Sequence, residues 1–201
     1  MSIRVVPFFN YPWVYKQYEN EILKKMRGVM EKGAFILQLE LEQFEENLKE
    51  FLDVKYAYGV ADGTNALIIA LDAVGINSGD EVIVPSHTYI ASAASIHYSG
   101  ATVVPVECGR DHMLDVTSAA KAVTRKTKAI MPVQLNGRTC DMDQVKELAQ
   151  KHHLKIIEDS AQALGSKFNG QCAGTFGKAG TFSFYPAKVL GCFGDGGGIV
   201  T

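Results

Sequence analysis

Tyr56-Ala-Tyr-Gly-Val-Ala-Asp-Gly-Thr-Asn-Ala-Leu-Ile-Ile-Ala-Leu-Asp-Ala-Val74 is the stretch on which the fold turns. Tyr56–Val60 is a short apolar run and reads as a strand. Thr64–Val74 carries apolar residues at helical spacing. Between them stands the polar turn Ala61-Asp-Gly-Thr64. This strand–turn–helix unit recurs downstream. Strands are expected at Glu81–Val84, Thr102–Val106, Ala129–Val133 and Leu154–Glu158. Helices are expected at Ile90–Tyr98, at Val116–Val123 behind Asp115 or Thr117, and at Met142–His152 behind Asp141. Such alternation predicts an α/β domain with a largely parallel central sheet flanked by helices. Past Ser160 the helical signal fades. Phe168–Gly174 reads as a turn-rich hairpin, and Gly180–Phe184 and Gly198–Thr201 read as two further strands.

Upstream the pattern differs. Tyr15, Tyr18, Ile22, Met26 and Val29 give a helix over 14–31 that Gly33 ends, and Leu41, Phe44, Leu48 and Phe51 give a second over 39–52. Residues 1–13, with Phe8, Phe9, Tyr11, Pro12 and Trp13, read as an extended aromatic arm. The expected division is therefore 1–55, an arm and two helices packing on the main domain, and 56–201, the large α/β domain. The chain has 201 residues and a net charge of −2. That balance gives no basic patch for nucleic acid or an anionic membrane, and no apolar run approaches the roughly 20 residues of a membrane span. The four cysteines are far apart and form no C-x-x-C pair, which favours free thiols in a cytoplasmic setting over disulfides or zinc. His87 and His97 lack metal-ligand spacing, and His152–His153 is placed at a helix C-terminus; no metal site is expected. The final Gly197-Gly-Ile-Val-Thr201 reads as the opening of a strand, so the chain is read as the N-terminal portion of a longer protein.

In open α/β sheets, ligands gather beyond the carboxyl ends of the strands. Several polar residues pass that filter. Gly63 and Thr64 open a helix whose first N–H groups are ready for a phosphate; the plain alternative is a strand-to-helix turn with Thr64 as N-cap. Tyr89 is a candidate plate for a planar ring. Glu158 and Asp159 are adjacent in a strand, point to opposite faces, and should not share a ligand. Gly194-Asp-Gly-Gly-Gly198 does not fit G-x-G-x-x-G, so it reads as tight backbone near a buried site rather than a dinucleotide loop. Lys188 ends the run Thr181-Phe-Ser-Phe-Tyr-Pro-Ala-Lys188, which also offers the Ser183 hydroxyl. A lysine, a strand-end carboxylate, an aromatic plate and a Gly-Thr-Ser cradle form the set that pyridoxal phosphate (PLP) asks for.

At this point the chain resembles the DegT/DnrJ family of PLP-dependent sugar aminotransferases. The motifs that carry the resemblance are Asp62-Gly-Thr-Asn-Ala-Leu67, Gly79-Asp-Glu-Val-Ile-Val-Pro-Ser-His-Thr-Tyr89, Thr127-Lys-Ala-Ile130, Cys140-Asp-Met-Asp143, Ile157-Glu-Asp-Ser-Ala-Gln-Ala163, Gly174-Thr-Phe-Gly177, Phe182-Ser-Phe-Tyr-Pro-Ala-Lys188 and Gly194-Asp-Gly-Gly197. The resemblance implies the three-layer large domain of the aspartate aminotransferase fold type, with a small C-terminal domain beyond residue 201. It implies Lys188 as Schiff-base lysine and general acid/base, Asp159 at the pyridinium nitrogen, and Gln162 beside the ring's phenolic oxygen. Tyr89 would stack on the ring, with Gly63, Thr64 and Ser183 at the phosphate. The implied reaction moves an amino group from L-glutamate to C3 or C4 of a nucleotide-linked keto-deoxysugar, for polysaccharides or glycosides, in a homodimer when full length. Related sugar dehydratases replace the lysine with histidine, so the retained Lys188 favours transamination. The remaining alternative is an inactive, structural fragment of such an enzyme. Two departures stand out: Gln134 and Asn136 occupy positions where the family often has a histidine and an aromatic, and Gly33-Ala-Phe-Ile-Leu-Gln38 lacks the glycine common at its end.

Overall fold

The structure, a computed structural model, describes residues 6–7 and 9–201; residues 1–5 and Phe8, part of the expected arm, lie outside the described residues. The chain divides into two compact units, Met1–Phe44 and Glu45–Thr201. In the first, helix α1 spans Tyr11–Lys32. It starts earlier than the apolar spacing indicated, so Tyr11, Pro12 and Trp13 form its first turn rather than an extended arm. Proline suits that place because its missing N–H has no partner to lose there. The Asn10 side chain accepts from the Trp13 N–H at 3.2 Å. Gly33 caps the other end, donating back to the Met30 and Val29 carbonyls. Helix α2 spans Leu39–Leu52, with Leu48 and Leu52 buried.

The second unit is built on β1 (Ala57–Val60), β2 (Glu81–Pro85), β3 (Thr102–Val106), β4 (Thr127–Ile130), β5 (Lys155–Asp159), β8 (Ala179–Ser183) and β9 (Gly197–Val200), with the small hairpin β6 (Lys167–Phe168) and β7 (Gln171–Cys172). The seven strands lie in the order β1-β9-β8-β5-β4-β2-β3. β9 runs antiparallel to both its neighbours; the pairs from β8 across to β3 are parallel. Helices α3 (Gly63–Ala73), α4 (Ile90–Tyr98), α5 (Val116–Ala122) and α6 (Met142–His152) make the crossovers. Val82, Ile83, Val84, Ile130 and Ile157 are almost fully buried, as expected of strands covered on both faces. Ala66, Leu67, Ala70 and Leu71 form the buried stripe of α3. The α/β fold with a mostly parallel sheet is thus the architecture observed.

Several boundaries move. β4 covers 127–130 rather than Ala129–Val133. Pro132 has no N–H to give to a ladder, and beyond Met131 the chain keeps only an isolated bridge from Val133 to Asp159. β5 is shifted by one residue, so Asp159 is its last member. The N-cap of α3 is Asp62 rather than Thr64: its carboxylate accepts from the Asn65 N–H at 2.8 Å and the Asn65 side-chain amide at 2.6 Å. His152 and His153 do end α6, and Asp115 caps α5.

Candidate active site

The sheet order sets four strand ends side by side. Asp62 and Gly63 follow β1, Gly197 opens β9, Ser183 closes β8 and Asp159 closes β5. Because β9 is antiparallel, its first residue meets the last residues of its neighbours: Gly197 pairs with Val60 and with Ser183. A Cβ on Gly63 would lie 2.7 Å from Ser183 Cβ, and a Cβ on Gly197 would lie 2.3 Å from the Asp62 carbonyl oxygen. No side chain fits at either place. The start of α3 therefore rests directly on the ends of β8 and β9, with the Ser183 hydroxyl beside its first turn. That is the tight backbone expected of the glycine-rich run. Burial works against the Asp62 charge, yet the N–H of Asn65, its side-chain amide and the N–H of Thr64 hold its carboxyl below the ordinary range. Helix start, glycine and hydroxyl together are groups that could hold a phosphate.

Asp159 is buried. Its Oδ2 accepts from Ser92 Oγ at 2.6 Å and its Oδ1 from the Ala161 N–H at 3.2 Å. Burial pushes its carboxyl up; Ser92, the Ala161 N–H and the nearby Lys188 charge pull it back only in part. Lys188 is half-buried on the turn after β8, where its N–H donates to the Tyr185 carbonyl at 2.8 Å. Burial lowers the pKa of its amine and the Asp159 charge raises it, and burial wins. The two groups thus feel each other's charge.

The neighbouring acid behaves otherwise. Glu158 is fully buried on the opposite face, and its carboxylate accepts four bonds: from Gln134 Nε2 at 2.8 Å and from the N–H groups of Gly174, Phe176 and Gly177 at 2.8, 2.6 and 3.1 Å. Burial pushes this carboxyl above its ordinary range, and the four donors offset that only in part. All four partners are donors, so a carboxyl proton would find no acceptor, and the site holds the ionised form. The two acids share no ligand, as the strand geometry requires. Gln134 is occupied here: besides Glu158 it accepts from the Cys140 N–H at 2.7 Å. Gln134 is therefore a buried link between loops, not an outward-facing group. Burial also pushes the Cys140 thiol up to about 12, which makes it inert.

The remaining candidates are placed by their hydrogen bonds. Tyr89 stands at the start of α4 and is 69% exposed. Gln162 Oε1 accepts from the Asn136 N–H at 2.9 Å, which leaves its amide nitrogen as the donor it can offer. Thr64 sits in the first turn of α3. The structure thus brings Gly63 against Ser183, sets Lys188 within electrostatic reach of Asp159, and ties Gln162 to the 134–137 loop. The residue that sequence reading passed over is Ser92, fully buried and bonded to Asp159, Thr88 and the Tyr89 carbonyl. The available signal was a polar residue between alanines on an apolar helix.

Residues 16–201 match the model of the DegT/DnrJ/EryC1/StrS aminotransferase family. The chain belongs to that family. It is 46% identical over 197 residues to the dTDP-3-amino-3,4,6-trideoxy-alpha-D-glucose transaminase of Streptomyces venezuelae, covering 98% of this chain and 52% of that protein. It is 44% identical to the UDP-N-acetyl-3-dehydro-alpha-D-glucosamine 3-aminotransferase of Acidithiobacillus ferrooxidans, covering 90% of this chain and 50% of the relative. Among solved structures, S. venezuelae DesV in complex with a ketimine intermediate superposes with a TM-score of 0.95 at 46% identity, over 98% of this chain and 53% of that one. NtdA of Bacillus subtilis with bound cofactor PMP superposes with a TM-score of 0.92 at 33% identity, over 100% of this chain and 46% of that one. The chain spans about half the length of the curated relatives it matches.

Proposed function

We propose that the protein is the cofactor-binding part of a PLP-dependent aminotransferase that moves an amino group from L-glutamate to a keto group, at C3 or C4, of a nucleotide-linked deoxysugar. The observation that carries this reading is a buried strand-end carboxylate, Asp159, within electrostatic reach of the half-buried amine of Lys188, in a chain whose helix α3 starts against Ser183. These residues fit PLP by the chemistry of the donor set and by the cradle at Gly63. When bound, PLP supplies an electron sink for a carbanion.

The chain's own groups take the following parts. The first N–H groups of α3, with Thr64 and Ser183, hold a phosphate. Asp159 keeps a proton on a ring nitrogen. Gln162 donates its amide N–H to a phenolic oxygen, and Tyr89 covers a ring face. Lys188 is both nucleophile and proton carrier, and its lowered pKa makes the neutral amine more accessible near physiological pH. Residues 56–201 are the cofactor domain, preceded in the chain by the segment 1–55. The protein works in the cytoplasm as a homodimer when full length. Exposed Trp13, Val14, Tyr18 and Met26 on α1, and exposed Val189 and Phe193 shortly after Lys188 in the chain, supply apolar surface for a second copy. No described helix is long and apolar enough to cross a membrane.

The test is spectroscopic. Purified protein mixed with PLP should show the visible band of a lysine-bound cofactor, L-glutamate should bleach it, and Lys188→Ala should lack it. No band in the parent overturns the reading. A band that glutamate leaves untouched favours a cofactor-binding, inactive fragment.

A further inference from the structure

Ser92 has one proton and three oxygen neighbours. Asp159 Oδ2 lies at 2.6 Å, Thr88 Oγ1 at 2.7 Å and the Tyr89 carbonyl at 3.3 Å. An ionised carboxylate is the strongest acceptor of the three, and the contact to it is the shortest. The Ser92 proton therefore goes to Asp159, and Thr88 donates in turn to Ser92. The chain of donors is directed, Thr88 to Ser92 to Asp159. Ser92 is fully buried and lies in the first turn of α4, three residues after Tyr89. One turn of helix thus carries both the aromatic residue and the hydroxyl that grips the carboxylate 67 positions away in sequence.

We infer that Ser92, backed by Thr88, is a positioning residue that orients the Asp159 carboxylate and keeps it an acceptor toward a cofactor's ring nitrogen. This rests on the PLP reading above. A carboxylate offers about four acceptor sites. Ser92 and the Ala161 N–H fill one on each oxygen, and Lys188 is the charged group that faces it from the turn after β8. Glu158, the nearest other acid in sequence, is turned to the far side of the sheet and is satisfied there. With Ser92 reduced to alanine, Asp159 keeps its burial and loses a charge-assisted donor. Its proton is then held more tightly, and it holds a proton on a ring nitrogen less well. Less positive charge on the ring lets the proton shared with Lys188 persist to higher pH.

The experiment is a pH titration of the visible band in PLP-loaded parent, Ser92→Ala, Ser92→Thr and Thr88→Val, with PLP dissociation constants measured by fluorescence. Ser92→Ala should raise the midpoint by about one pH unit, equivalent to a tenfold change, and weaken PLP binding roughly tenfold. Ser92→Thr, which keeps the hydroxyl, should bring the midpoint back toward the parent, and Thr88→Val should move it the same way by less. A packing defect alone lowers stability and leaves the midpoint in place. An unmoved midpoint in folded Ser92→Ala overturns the inference and spares the function reading. A parent without a band overturns both. Where Ser92→Ala does not fold, Thr88→Val decides, and an unmoved midpoint there overturns the inference.

Discussion

Glu158 and Asp159 are consecutive residues at the end of one strand, both buried and both acids, yet the regions they face are built on different terms. On the Glu158 side every acceptor position has a donor, drawn from the loop at Gln134 and the turn at 174–177. On the Asp159 side one hydroxyl and one N–H are supplied, and the nearest charge is an amine that is itself partly desolvated. A saturated buried carboxylate fixes loops to a sheet. An under-supplied one at a strand end keeps capacity for a ligand. Burial alone, or a raised pKa alone, does not separate the two roles; the count and origin of donors does.

The sharpest way to break this contrast is to remove each acid in turn. Glu158→Ala leaves three backbone N–H groups and an amide without their acceptor, and should cost about 3–5 kcal/mol in urea unfolding. Asp159→Asn, judged by the same measurement, should change stability by no more than about 1 kcal/mol, while visible-band titration shows PLP binding largely lost. Equal stability losses at the two positions would end the distinction.

A second cut is made at the cradle. Gly63→Ala sets a methyl 2.7 Å from Ser183 Cβ and should cost ~1–3 kcal/mol by overpacking, together with weaker PLP binding. Adding Ser183→Gly should recover much of the stability but little of the binding, because the hydroxyl is gone as well. A double-mutant cycle in urea reads the coupling, and strict additivity would place the two residues apart.

The smallest effect is on pH. Asp159 has a folded pKa above its unfolded value near 3.9. Between the two values the folded state holds more protons than the unfolded one, so stability falls as pH rises from about 4 to the raised value. Asp159→Asn should lessen that fall, to which buried Glu158 also contributes, seen as a flatter series of urea midpoints from pH 4 to 7. A parent profile that rises through this window would reverse the assignment.

The same two sides show what the sequence could reveal. Strand–helix alternation is a local signal, and α4, β3 and α6 lie where their apolar spacing put them. The shifted boundaries had local signals that went unweighed: Pro132 at the end of β4, Pro12 at the start of α1, and Asp62 as the acid that caps α3. Lys188, Asp159, Tyr89 and the Gly63–Ser183 cradle were visible as polar residues after strand ends. The donors to Glu158 were not, since three of the four are backbone N–H groups, which no residue type announces. Ser92 meets Asp159 only because α4 packs over the sheet, and one serine among alanines does not declare a partner 67 positions distant.

The antiparallel strand that brings Gly197 into the cradle has a consequence for assembly. β1 is an edge strand whose hydrogen-bonded neighbour is β9, and Ala57 pairs with Val200, about 140 residues later in the chain. During synthesis at about 5–20 residues per second, β1 and the start of α3 wait roughly 7 to 30 s for that partner. The parallel pairs from β3 to β8 can form meanwhile. The meeting of Gly63 and Gly197 with the end of β8 is therefore among the last parts of this unit to close.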